Sequence, residues 1–173
     1  MKNIVLVGLE GTRKYEIGKE LSEKLKMDFI STDESMKEES GLELPQLLKK
    51  VGENKFRLLE SSIIEKISST INTVIIVGGG SILDRNNIKK LKRHGLLVNL
   101  ISSQVEIKKK KTQHSHQFLA EQWEQVFQGT KKILNLKAPS CPDADYVLDI
   151  TDLTVEQITG KIIKIMEGTN NDG

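Results

Sequence analysis

The alternation of short apolar runs with segments of helical spacing limits the possible folds of this chain more than any other feature. The apolar runs are bounded by glycine and polar residues, which is typical of buried strands. Between them, residues such as Ile17, Leu21 and Leu25 recur at the spacing of an amphipathic helix. Strands that alternate with helices form right-handed crossover units, so the pattern predicts an α/β fold whose parallel sheet is covered on both faces. The predicted strands are Asn3–Val7, Phe29–Ser31, Thr73–Val77, Leu96–Leu100 and Tyr146–Ile150.

The length of the chain, 173 residues, fits one domain with a substantial core. We expect this domain to cover residues 1–167, followed by a flexible tail over residues 168–173. A lysine run followed by a polar stretch at about residues 108–120 has no strand pattern and predicts a mobile flap.

Charge and cysteine content exclude several classes of protein. The chain has 26 basic and 24 acidic residues and a formal net charge of +2, which argues against a nucleic-acid or membrane partner. Cys141 is the single cysteine, so no internal disulfide is possible; we expect a small buried thiol and a cytoplasmic location. The apolar run Ile4–Val7 is too short for a signal-peptide core or a membrane span.

A candidate phosphate-binding loop follows the first predicted strand. In the motif G-x-x-x-x-G-K-[ST], backbone N–H groups hold phosphates, the lysine reaches the outer ones and the hydroxyl binds magnesium. Here Arg13 replaces the second glycine and Tyr15 replaces the Ser or Thr, so this is a degenerate Walker A sequence and we expect poor triphosphate binding. An alternative is that the Arg13 guanidinium contacts the phosphates itself. The candidate nucleotide-binding residues are Gly8, Gly11, Thr12, Arg13, Lys14 and Tyr15.

Four blocks of sequence resemble the shikimate kinase family in order and spacing. They are Lys2–Gly18, Phe29–Glu34, Gly52–Glu60, which contains F-R-x-x-E, and Val74–Gly80, which ends in G-G-G. The resemblance extends through the strand at Leu96–Leu100 and is thin beyond Lys111. It implies a P-loop-type three-layer α/β/α fold with a five-stranded parallel sheet and a mobile lid. It also implies transfer of the γ-phosphate of ATP to the 3-hydroxyl of shikimate with magnesium, in the pathway to aromatic amino acids.

The resemblance also assigns candidate roles to single residues. Asp33 matches an aspartate that holds the shikimate hydroxyls and orients or deprotonates the attacking one, so Asp33 and Lys14 are the candidate catalytic residues. Arg57 matches the arginine that pairs with the shikimate carboxylate, and Glu60 matches a glutamate that supports the pocket. The remaining candidates for substrate binding are Gly78, Gly79 and Gly80, which close against the ring, and Lys137, which stands near the place of a second arginine.

Each of these residues also has an ordinary structural interpretation. Arg57 and Glu60 are three residues apart on a predicted helix and could form a surface ion pair. Asp33 could merely cap the helix that starts there, and the glycines could form a plain turn.

The sequence departs from the family at the positions that would hold magnesium. Tyr15, Ser31 and Val77 stand where the resemblance places a hydroxyl, an aspartate and a threonine, and none of them supplies a carboxylate. The flap has no arginine, and its His114 and His116 are a weak ligand set without a carboxylate or thiol neighbour. We therefore predict no metal site.

These departures favour a catalytically impaired or inactive relative that binds shikimate or a similar hydroxylated carboxylate. The alternative is a functional shikimate kinase with an unusual phosphate site, which would use ATP and magnesium. A third interpretation is a scaffold for a protein partner.

Overall fold

The structure, a computed structural model, describes residues 2–8, 11–78, 80–81, 84–102, 141 and 143–171. Within these ranges the strands and helices alternate as the sequence predicts. In chain order they are β1 (Asn3–Gly8), α1 (Lys14–Leu25), β2 (Asp28–Ser31), α2 (Thr32–Ser40), α3 (Leu44–Val51), α4 (Glu53–Ser68), β3 (Thr73–Ile76), α5 (Arg85–Lys92), β4 (Gly95–Ile101), β5 (Tyr146–Asp149) and α6 (Val155–Asn171). The predicted tail from Gly168 on begins inside α6.

The strands form one parallel sheet in the order β2-β3-β1-β4-β5. The central strand β1 is buried along its whole length and pairs with β3 on one side and β4 on the other. Because all strands run in the same direction, their carboxyl ends meet at one edge of the sheet, which is where open α/β sheets bind ligands.

Two apolar layers cover the sheet. On one face, Ile17 and Leu21 of α1 and Ile158 and Ile162 of α6 pack against Leu6 and its neighbours. The opposite layer is formed by apolar side chains of α2, α3, α4 and α5, namely Met36, Leu44, Leu47, Leu48, Phe56, Ile63, Ile64, Ile67, Ile88 and Leu91. The predicted three-layer architecture with a five-stranded parallel sheet is therefore confirmed, whereas the predicted flap at 108–120 lies outside the described residues.

Two residues show how the sequence determines local structure. Pro45 lies in the first turn of α3, where a missing N–H costs no hydrogen bond. Cys141 is buried in the layer that contains α4 and α5, and burial raises the pKa of its thiol. Among the described residues, no helix combines the length and apolarity needed to cross a membrane.

Candidate active site

Two described residues of the loop after β1 have left-handed backbone conformations. Gly11 (φ 86°) and Arg13 (φ 55°, ψ 31°) both adopt left-handed backbone conformations. Arg13 is the residue that precedes α1, so the first N–H groups of the helix open toward the edge of the sheet. Glycine adopts this conformation without steric cost, whereas an arginine does so at a cost of roughly 1 kcal/mol. Leu9 and Glu10 lie outside the described residues.

Lys14 folds back onto this loop. Its Nζ donates a 2.6 Å hydrogen bond to the carbonyl oxygen of Gly8, and the residue is only 9% exposed. Gly8 itself has no room for a side chain, because a β-carbon there would lie 2.7 Å from the carbonyl oxygen of Leu100. The ammonium is therefore held at the carboxyl end of β1, where it carries positive charge beside the N-terminus of α1.

The Arg13 side chain points toward the loop between β5 and α6. Its Nη2 donates a 2.8 Å hydrogen bond to the carbonyl oxygen of Leu153. Its buried Nε has no hydrogen-bond partner within the described part of the chain. In this arrangement one N–H of the guanidinium is directed away from the loop, and the alternative in which Arg13 contacts phosphates stays a prediction.

The Tyr15 hydroxyl is directed at α2. It donates a 2.8 Å hydrogen bond to Oε1 of Glu34, and its ring packs edge-on against Phe29 with ring centres 5.2 Å apart. The hydrogen bond to Glu34 raises the pKa of Tyr15, and partial burial and the carboxylate charge act in the same direction. A tyrosine in this position therefore links α1 to α2.

Asp33 lies against Gly78 at the edge of the sheet. A β-carbon on Gly78 would stand 2.8 Å from Asp33 Oδ1, so only glycine admits the carboxylate at this distance. Gly78 N–H donates a 3.2 Å hydrogen bond to Oγ1 of Thr32, which fixes the end of β3 to the start of α2. The interpretation of Asp33 as the cap of α2 is wrong, because Ser31 occupies the N-cap position.

Arg57 lies against Gly80. Gly80 belongs to the turn that begins at Gly78 and ends at Ser81, named the glycine turn below. A β-carbon on Gly80 would stand 2.7 Å from Arg57 Nη2 and 2.9 Å from Cζ. Arg57 Nη1 donates a 2.8 Å hydrogen bond to Oε2 of Glu60, and its Cζ is 5.6 Å from the Phe56 ring centre. The ion pair expected from the i,i+3 spacing is therefore present, but it is only partly at the surface, because the Arg57 side chain is 31% exposed and that of Glu60 is 5% exposed.

A buried polar network that sequence reasoning missed supports Glu60. The second carboxylate oxygen, Oε1, accepts a hydrogen bond from the Ser81 hydroxyl. Asn87 of α5 donates a 3.3 Å hydrogen bond to the Ser81 carbonyl and accepts a 2.9 Å hydrogen bond from Ser61. Ser81 directly follows the G-G-G sequence, which was the only signal that could have pointed to it.

Tyr15, Ser31 and Val77, the positions where the resemblance places magnesium ligands, supply no carboxylate of their own. The Tyr15 hydroxyl is occupied by Glu34, and Val77 is a fully buried apolar residue. Ser31 is buried, and its Oγ accepts from the Glu34 N–H at 3.5 Å as a helix cap. A hard divalent cation requires oxygen ligands that include a carboxylate. Among the described residues no group of three or more His, Cys, Asp or Glu side chains could hold a metal ion.

Some predicted site residues fall outside the described ranges. They are Gly79, Lys137 and the flap residues, including His114 and His116.

The sheet order, the loop after β1 and the residues that meet at the carboxyl edge together define the class of P-loop-type kinase folds. The shikimate kinase family model matches residues 10–167. The shikimate kinase of Thermodesulfovibrio yellowstonii is 36% identical over 171 residues, which cover 99% of this chain and 98% of that one. That of Caldicellulosiruptor bescii is 33% identical over 165 residues, with 95% of both chains covered. The chain belongs to the shikimate kinase family.

Solved structures support the same fold. The shikimate kinase of Aquifex aeolicus superposes with a TM-score of 0.74 at 25% identity and covers 99% of both chains. The shikimate kinase of Acinetobacter baumannii, solved in complex with shikimate, gives a TM-score of 0.73 at 22% identity and covers 98% of this chain and 94% of that chain.

Proposed function

We propose that this protein binds shikimate, or a closely similar hydroxylated carboxylate, and that its transfer of phosphate to that ligand is impaired or absent. The observation that supports shikimate binding is the position of two charged groups along the glycine turn. The Asp33 carboxylate lies against Gly78, and the Arg57 guanidinium lies against Gly80. Because glycine has no side chain, both charged groups have room at the carboxyl edge of the sheet.

The chemistry of these two groups suits a ring that bears a carboxylate and neighbouring hydroxyls. A guanidinium pairs with a carboxylate through two parallel N–H donors, and a lysine would offer only a point charge. A carboxylate such as Asp33 accepts hydrogen bonds from vicinal hydroxyls and can orient one of them for attack. A ring pressed against the backbone of Gly78 and Gly80 requires residues without a β-carbon.

The second half of the proposal follows from the charges around the phosphate site. Phosphoryl transfer depends on positive charge that is fixed around the transferring group, and the loss of one such donor typically costs about a thousandfold or more in rate. Here Arg13 is bonded to Leu153, and Tyr15, Ser31 and Val77 offer no magnesium ligand set. Among the described residues of the loop, Lys14 is the cation that lies beside the N-terminus of α1, where its ammonium donates to the Gly8 carbonyl.

The alternative is a functional shikimate kinase that transfers the γ-phosphate of ATP to the 3-hydroxyl of shikimate. Two observations favour it: Lys14 lies beside the N-terminus of α1, and Arg13 adopts the left-handed conformation that a glycine at this position of the motif would adopt without cost. In this alternative the loop would bind ATP once the Arg13 guanidinium left Leu153.

Isothermal titration of the purified chain distinguishes these functions. We expect shikimate to bind with a Kd in the micromolar to millimolar range that is typical of small substrates, and ATP with magnesium to bind weakly or not at all. Asp33→Asn and Arg57→Lys should each weaken shikimate binding, whereas Arg93→Lys, which changes an exposed pair with Glu65, should not. Steady formation of shikimate phosphate by the wild-type chain would select the alternative, and no binding of either compound would refute the proposal.

A further inference from the structure

We propose that Ser81 and Asn87 are positioning residues that hold the Arg57 guanidinium in place through Glu60. This inference rests on the proposed function, because the position of Arg57 matters most if it binds a carboxylate. Neither residue was assigned a role by the sequence or by the resemblance. Ser81 is 1% exposed and Asn87 is 3% exposed, so both act from inside the protein.

Both carboxylate oxygens of Glu60 accept a hydrogen bond. Oε2 accepts from Arg57 Nη1 at 2.8 Å, and Oε1 accepts from the Ser81 hydroxyl. A carboxylate with one partner can rotate about its terminal torsion, which is broad and roughly two-fold. With both oxygens engaged, the plane of the Glu60 carboxylate is fixed, and so is the direction from which Arg57 must approach.

The backbone of Ser81 is held by hydrogen bonds at both its N–H and its carbonyl. Its N–H donates to the Gly78 carbonyl at 3.1 Å, and its own carbonyl accepts from Asn87 Nδ2 at 3.3 Å. Asn87 is held in turn by Ser61, whose hydroxyl donates to Asn87 Oδ1 at 2.9 Å. The glycine turn is thus attached to α4 through Glu60 and to α5 through Asn87.

The Arg57 guanidinium has little space in which to move. Arg57 lies between the Phe56 ring, 5.6 Å from Cζ, and the backbone of Gly80, where even a β-carbon would clash. A small rotation of the Glu60 carboxylate would move Arg57 Nη1 against this backbone or away from it. Ser81 and Asn87 therefore determine which N–H groups of Arg57 face a bound ligand.

Calorimetric titration with shikimate tests this in Ser81→Ala, Asn87→Ala and a matched control, Ser68→Ala. Ser68 is a buried serine at the C-terminal end of α4, and its hydroxyl donates a 3.0 Å hydrogen bond to the Glu65 carbonyl. We expect Ser81→Ala to weaken shikimate binding about tenfold and Asn87→Ala to weaken it less. Ser68→Ala should bind as the wild type does.

A double-mutant cycle separates positioning from general damage. In the Arg57→Lys background, Ser81→Ala should cause little further loss, because a lysine has no fork to orient. An equal loss in both backgrounds, or no loss in the wild-type background, would overturn the inference. Thermal unfolding of each variant identifies any that fail to fold.

Nuclear magnetic resonance of the arginine side chains tests the positioning role in the absence of ligand. Arginines occur in this chain only at positions 13, 57, 85 and 93, so the side-chain nitrogen resonances can be assigned by substitution. We expect separate, slowly exchanging Arg57 Nη signals in the wild-type protein and averaged signals in Ser81→Ala. If the wild type binds no shikimate but this difference is seen, only the proposed function fails; if Arg57 gives the same signals in both proteins, the positioning role is wrong.

Discussion

Asp33 Oδ1 lies 2.8 Å from the point where a β-carbon on Gly78 would stand. The Gly78→Ala variant therefore forces the Asp33 carboxylate to move, since real β-carbons do not approach an oxygen this closely. We expect shikimate affinity to fall at least tenfold, because a displaced carboxylate loses its hydrogen bonds to the ligand hydroxyls. Titration calorimetry measures the effect. Gly160→Ala is the control, because a β-carbon there meets no atom within 4 Å; equal binding by both variants would contradict the placement of Asp33 in the site.

The combined variant Arg13→Gly, Tyr15→Thr and Ser31→Asp should gain magnesium-dependent ATP binding. Glycine removes the side chain from the left-handed position, threonine supplies a short hydroxyl and aspartate supplies a carboxylate. Aspartate is also a good N-cap, so α2 should remain stable. We expect ATP to bind at least tenfold more tightly in magnesium than in chelator for the variant, and with little difference for the wild type. Unchanged affinity in the variant would show that these three residues do not limit nucleotide binding.

Two buried asparagines make a matched pair for testing stability. Neither side-chain amide atom of Asn99 in β4 has a hydrogen-bond partner among the described residues. Asn3 in β1 donates to the Thr70 carbonyl at 2.7 Å and accepts from the Thr73 N–H at 3.0 Å. Asn99→Leu should raise the free energy of unfolding by about 1–3 kcal/mol, because an unsatisfied buried amide is removed.

Asn3→Leu should have the opposite effect, because it leaves the Thr70 carbonyl and the Thr73 N–H without their partner. Chemical denaturation with the midpoint and slope fitted separately measures both variants. Loss of stability in Asn99→Leu would mean that its amide has a partner that this structure does not contain.

The pH dependence of stability above pH 10 should contain a contribution from Tyr15. Its pKa is raised in the folded protein, first by the hydrogen bond to Glu34. Between the unfolded pKa of about 10 and the folded pKa, the native state therefore binds more protons than the unfolded state. The contribution is therefore present below pH 10 and is lost as the pH rises through the folded pKa. Glu34→Ala should lower the pKa of Tyr15, which the difference in ultraviolet titration between each protein and its Tyr15→Phe counterpart reports. An unchanged titration in Glu34→Ala would contradict the hydrogen bond.

Most of the fold could be predicted because strand and helix signals are local. The strand from Thr73 was recognised from a run of apolar residues, and each other predicted strand overlaps an observed one. The lateral order β2-β3-β1-β4-β5 was not readable from periodicity, since it depends on which strands the crossover helices bring together.

The site was predictable only where the sequence carried a motif. Asp33 and Arg57 were found through short blocks of resemblance, and the structure brings both against the glycine turn. The contacts of Arg13 with Leu153 and of Glu60 with Ser81 were not foreseen, because their partners are separated by 140 and 21 residues. A side chain that finds its partner across the fold leaves no periodic trace in the sequence.

The hydrogen bond from Arg13 to Leu153 joins two parts of the chain that are 140 residues apart. It connects the residue before α1 with the turn before α6, so a change at position 13 acts on both ends of the domain at once. Redesign of this loop for another ligand would therefore have to treat the turn before α6 as part of the same unit.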